Sequence, residues 1–320
     1  MIFKRSGIAC AALAVGVSLT SVAWAQDAWY PSKFGKDDEA GRSNLMTSAR
    51  VLEAMTYMKK GTVVPLARTY ESAMPLFGAR AFAVRGTSGL AGGPVGENKV
   101  IWMDDFLATE IGQVGTQFDG LGHIGIGGDK NRFYNGLESA AVTGSYGLKK
   151  LGIEKVKPFF TKGILIDMVS FKGKPMDKGE EITVADIEGA LQKQGLSADS
   201  IGEGHVVLIH TGWSRHWIKD NATFNSGCPG IGVAAAKWLA DKGVVIVGAD
   251  TWPVEVVPNP NPKLAFPVHQ IFITRNGIFI HENVATERLA DAKVYEFAYI
   301  FAPLPVKGAT GSPGNAIAVY

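Results

Sequence analysis

Cysteine is scarce in this chain. There are two among 320 residues, Cys10 and Cys228. Once Cys10 leaves with the leader described below, no internal disulfide can form, and the fold must rest on its core alone. Cys228 stands in Ser226-Gly227-Cys228-Pro229-Gly230 and reads as a small residue in a turn rather than a nucleophile. An excess of charge of one sign is lacking too. Lys and Arg total 32 against 30 Asp and Glu, with no basic cluster. That argues against nucleic acid or an anionic membrane as a partner, since both need a basic field. Repeats and low-complexity tracts are absent, and so is any long apolar run beyond the N-terminus.

The N-terminus has the three parts of a secretory signal. Lys4 and Arg5 are basic, Gly7 to Val22 is uncharged and mostly apolar, and Ala23-Trp24-Ala25 supplies small residues for cleavage before Gln26. The run is short of the roughly 20 residues that a spanning helix needs. The expectation is a signal over residues 1–25 and one domain over 26–320, periplasmic or secreted. Removing Lys4 and Arg5 takes the basic total from 32 to 30, equal to the acidic total.

Three stretches have helical spacing and stop signals: Ser43 to Lys60 before Gly61, a helix capped by Thr183 that ends at Gly195, and Val233 to Lys242 before Gly243. Short apolar runs predict buried strands at Ile164–Val169, Val206–Ile209 and Val244–Val247. Ile271–Thr274 and Ile278–His281 flank Arg275-Asn276-Gly277, which predicts a hairpin. Val256 to Pro267, rich in Pro and Asn, is expected to be a loop. The alternation predicts an α/β fold with a mixed sheet.

The most informative stretch is Gln113-Val114-Gly115-Thr116-Gln117-Phe118-Asp119-Gly120-Leu121-Gly122-His123. If residues 113–119 are extended, side chains 113, 117 and 119 share one face. Gly120 and Gly122 let the chain bend, so that His123 turns back towards them. A carboxylate, an imidazole and two amide oxygens would then converge, which is enough for an oxygen-rich metal site beside a general base. The competing reading is a glycine-rich loop in which Asp119 caps a turn. His205, His210 and His216 are read as structural. Trp213, Trp217 and Trp252 are read as lining an aromatic-tolerant pocket or as ordinary core.

This stretch resembles the signature of the cyclase family that includes bacterial kynurenine formamidase and isatin hydrolase, His-x-Gly-Thr-His-x-Asp-x-Pro-x-His. Gly115, Thr116, Asp119 and His123 match it. Gln113 and Gln117 replace its first two histidines, and Leu121 replaces its proline. Thr211-Gly212-Trp213, Gly248-Ala249-Asp250-Thr251, His269-Gln270, Gly277-Ile278 and His281-Glu282-Asn283 resemble later family elements in order.

The resemblance implies a swivelling β/β/α fold, a homodimer or larger assembly, and one or two divalent metals, Mn or Zn. It implies metal ligands among Gln113, Gln117, Asp119, His269, Gln270 and Glu282, with His123 catalytic. Asp250, Thr251, Trp213 and Trp252 are the candidates for contact with a small-molecule substrate. Amide ligands in place of imidazoles favour a harder ion such as Mn²⁺. The function implied is metal-dependent hydrolysis of a small amide, imide, lactam or formamide C–N bond. The alternatives are a cyclase or dehydratase acting on an oxygenated ring, and an exported binding protein without catalysis.

Overall fold

The computed structural model describes residues 29–86 and 92–320. The expected signal segment and Cys10 lie outside the described residues. Among the described residues no helix is long and apolar enough to cross a membrane.

Nine strands form one mixed sheet. In chain order they are β1 Val63–Pro65, β2 Gln117–Asp119, β3 Phe159–Asp167, β4 Val206–His210, β5 Ile246–Ala249, β6 Phe279–Glu282, β7 Glu296–Phe301, β8 Gly311–Pro313 and β9 Ile317–Val319. Their spatial order is β1-β9-β7-β3-β4-β5-β6-β2-β8. The middle four, β3-β4-β5-β6, run parallel, and the pairs on either side are antiparallel. Parallel strands with both faces covered read as unbroken apolar runs. Val206 to Ile209 is such a run, and all four residues are fully buried.

Helix α1, Ser48–Met55, lies over β3 and β7. Side chains of β7 alternate as a strand requires. Ala298 meets Ala54 of α1, while Phe297, Tyr299 and Phe301 enter the main core. Helix α2, Val184–Lys193, has a full capping box between Thr183 and Asp186. It packs against α3, Val233–Asp241.

Two expectations are corrected. The predicted helix from Ser43 is two pieces, a 3-10 turn over Gly41–Leu45 and then α1, because the chain is extended at Met46 and Thr47. The predicted hairpin is absent. Gln270–Arg275 is a π-helix, and only Phe279–Glu282 is a strand. Ile271–Thr274 is buried on every side, and a short apolar run buried all round has no periodicity to separate helix from strand.

Candidate metal centre and active site

The pairing of β6 with β2 builds the site. Asp119 faces Ile280, and Gln117 faces Glu282. Directly opposed residues of an antiparallel pair share a face, so Gln117, Asp119 and Glu282 point one way. Phe118 and His281 point the other way and join Phe279 and Phe301 in the core. One three-residue strand thus carries the site on one face and the core on the other.

His269 comes from a different direction. Pro267–His269 is a single helical turn leading into the π-helix, and π-helical segments often mark functional sites. The His269 Nε2 atom lies 3.3 Å from Glu282 Oε1 and 3.8 Å from Asp119 Oδ2. Ligand atoms of Asp119, His269 and Glu282 all lie within 4.8 Å of one another, and all three residues are buried. Asp119 Oδ2 has no hydrogen-bond partner. A buried, unpaired carboxylate oxygen facing an imidazole nitrogen and a second carboxylate fits a divalent cation.

The two glutamines come to the same place by different routes. Gln117 donates from Nε2 to Glu282 Oε2 at 2.6 Å. Gln113 donates from Nε2 to Asp119 Oδ1 at 3.1 Å. In this arrangement both amides hold the carboxylates. Residues 113–116 are not extended as expected; only Gln117–Asp119 is strand. Gln113 is brought in by a bend at Gly112, whose φ is +81°, and a Cβ there would run into the Gly311 carbonyl carbon. Arg80 donates to Gln113 Oε1 at 3.2 Å. It is a site residue that carried no motif in the sequence.

His123 turns back as expected, through a turn in which its N–H bonds to the Gly120 carbonyl. Its Nε2 lies 4.0 Å from Asp119 Oδ1. Burial pushes its pKa below the ordinary histidine value, against the pull of Asp119. His269 behaves in the opposite way. Burial disfavours its charged form, but hydrogen bonds to Glu255 and Glu282 outweigh this and push it up to about 10. Burial and the neighbouring Asp119 push Glu282 up as well. The raised pKa values of His269 and Glu282 mean that this pair holds protons that a cation can replace.

A cavity of about 180 Å³ opens onto this cluster. Arg80, His123, His269 and Glu282 are on its polar side, and Phe77, Trp252 and Phe266 form its aromatic wall. Phe77 and Trp252 stack at 4.4 Å.

The remaining candidates lie elsewhere. Gln270 donates to the Gly125 carbonyl and lines a separate cavity of about 910 Å³ beside Tyr134 and Arg275. Asp250 accepts from Thr211 N and Oγ1 and from Ser214 N, which ties β5 to the end of β4. Thr251 and Trp213 are buried outside the site cavity, and Trp213 packs with Phe224, Cys228 and Trp252. Cys228 is buried in a backbone bridge to Val257, and burial pushes its thiol pKa well up. His205 bonds to Glu53 and His210 to Thr286.

The family described as "Putative cyclase" matches residues 64–256. This chain is a member of the cyclase family. The crystal structure of a novel cyclase is 33% identical, with a TM-score of 0.80 over 90% of this chain and 96% of that one. Two further cyclase-like structures show the same fold at lower identity. Isatin hydrolase A from Ralstonia solanacearum is 20% identical, with a TM-score of 0.58 over 80% of this chain and 91% of that one. An isatin hydrolase bound to the product analogue thioisatinate is 21% identical, with a TM-score of 0.57 over 86% and 99% of the two chains. No curated protein matches the chain. The cyclase signature region supplies Asp119 and His123, whereas His269 and Glu282 lie beyond the matched segment and are brought back by β6 and the π-helix.

Proposed function

We propose that this cyclase-family protein is a metal-dependent hydrolase that opens the C–N bond of a small amide, imide, lactam or formamide. The observation that carries the proposal is the buried Asp119–His269–Glu282 cluster opening, beside His123, onto a small aromatic-walled cavity. These three residues would hold the ion, Mn or Zn, while Gln113 and Gln117 hold the two carboxylates in place. A bound divalent ion polarises a carbonyl and lowers the pKa of water from 15.7 towards about 7.

His123 supplies the proton transfers. Its lowered pKa keeps the imidazole neutral near pH 7, so it can accept a proton from water and return it to the departing nitrogen. Such assistance is typically worth about 10²–10⁴-fold. Phe77, Trp252 and Phe266 exclude water and favour flat, apolar substrates, and the cavity volume restricts them to small molecules. The signal-like N-terminus supports a periplasmic or secreted site of action. The family resemblance supports a homodimer or larger assembly.

A second reading, an exported binding protein without turnover, is favoured by one observation. The glutamine amides already occupy an oxygen of each site carboxylate, at 2.6 and 3.1 Å. Incubating the metal-loaded protein with cyclic imides, lactams and formamides, and following the gain of one water by mass spectrometry, separates the two. Ring opening that is lost in Asp119→Asn supports the hydrolase. Metal bound at the site with no product from any compound class would leave the binding protein as the better account.

A further inference from the structure

Glu255 lies outside every motif, yet it is 1% exposed. A buried carboxylate is costly unless donors surround it. The donors here come from one short segment. Glu255 Oε1 accepts from His269 N at 3.0 Å and from the ring atom Nδ1 at 2.6 Å, and Oε2 accepts from Val268 N at 3.2 Å. One carboxylate oxygen therefore grips both the main chain and the ring of His269.

Two main-chain N–H groups already make this carboxylate an acceptor towards the His269 segment, and as the acceptor in the ring bond as well it leaves the proton on His269 Nδ1. The other ring nitrogen, Nε2, is the one facing Asp119 and Glu282. In the neutral ring Nε2 then presents its lone pair to the point where the three ligand atoms converge. The main chain makes an unfavourable bend to put Glu255 there. Val254, fully buried and β-branched, has φ 59°, in the left-handed region that such residues rarely occupy. Backbone bonds to Ile231 on either side, from Ile231 N to Val254 O and from Val256 N to Ile231 O, hold the bend.

We propose that Glu255 is a positioning residue that fixes the tautomer and direction of His269 for cation capture, an inference that rests on the metal-dependent reading above. A purely structural acceptor would support the fold without setting which ring nitrogen binds the ion.

The test measures Zn²⁺ affinity, by competition with a chelator, in the wild type and in Glu255→Gln. Partners of this kind typically contribute 10–100-fold to metal affinity. Loss of the charge should therefore weaken Zn²⁺ binding by about 10–100-fold with the circular dichroism spectrum retained. Nitrogen-15 spectra of the Zn²⁺-loaded wild type should show the His269 proton on Nδ1. Equal affinities in wild type and variant, or a proton on Nε2, overturn this inference alone. A wild type that takes up neither Zn²⁺ nor Mn²⁺ overturns the metal reading together with it. If Glu255→Gln does not fold, the ring spectrum of the wild type decides.

Discussion

His269 and His281 are both buried and lie close in sequence, yet their surroundings are opposite. His269 sits among Asp119, Glu255 and Glu282. His281, on the core face of β6, accepts from the Tyr299 hydroxyl at Nδ1 (2.8 Å) and donates from Nε2 to the Gly314 carbonyl (3.0 Å). Burial pushes His281 down to about 4, while the acids push His269 up to about 10. Burial by itself discharges a histidine, and only converging carboxylates reverse that. A core has no use for such a convergence, because like charges brought together without a cation repel. The contrast separates a place built to receive positive charge from a place built to exclude it, across the thickness of one strand.

The largest effect expected from breaking this contrast is on the site face. Asp119→Asn should reduce metal affinity by more than about 100-fold, beyond the range for residues that only support a ligand. It should abolish turnover without lowering the unfolding midpoint in urea. One residue away, Phe118→Ala should do the reverse. Phe118 is fully buried against Phe159, Phe279 and Phe301, and its truncation should cost about 3–5 kcal/mol in urea unfolding. Any folded fraction should still bind metal.

His281 also makes stability depend on pH. The unfolded imidazole takes up its proton near pH 6.5, and the folded one only near about 4. Between these values the unfolded state binds more protons, so stability falls as pH drops through that window and is unaffected by this residue above it. The loss should be of order 3 kcal/mol by pH 4. His281→Asn should flatten that part of the curve of urea midpoint against pH, whatever it does to overall stability. The smallest effect belongs to Gln117→Ala. Without its donor, Glu282 loses its anchor, and metal affinity measured by chelator competition should fall about tenfold.

The sheet was readable because its middle strands carry short apolar runs, Val206–Ile209 among them. Helix α2 announced itself through Thr183 and Gly195. Gln117, Asp119 and His123 were visible as a compact motif, and His269 and Glu282 through family resemblance. The rest was hidden for physical reasons. Gln113 and Gln117 both appeared as oxygen ligands, because a sequence does not show which end of an amide faces a carboxylate. Gln270 follows His269 in the chain, but the π-helix turns it towards Gly125. Asp250 sits at a strand end like a site residue, yet Thr211 and Ser214 consume its oxygens. Glu255 gave no signal, since its role depends on a left-handed valine beside it and on a histidine segment arriving from 14 residues away.

A cluster built to receive a cation should show it in the metal content of the purified protein. Elemental mass spectrometry of the protein, purified without chelator or metal-affinity tag and incubated with Mn²⁺ or Zn²⁺, should be run beside Asp119→Asn. The wild type should hold about one ion per chain, the number that a single cluster of two carboxylates and one imidazole holds, and Asp119→Asn should lose it. No retained metal in the wild type, or equal amounts in both proteins, would contradict it.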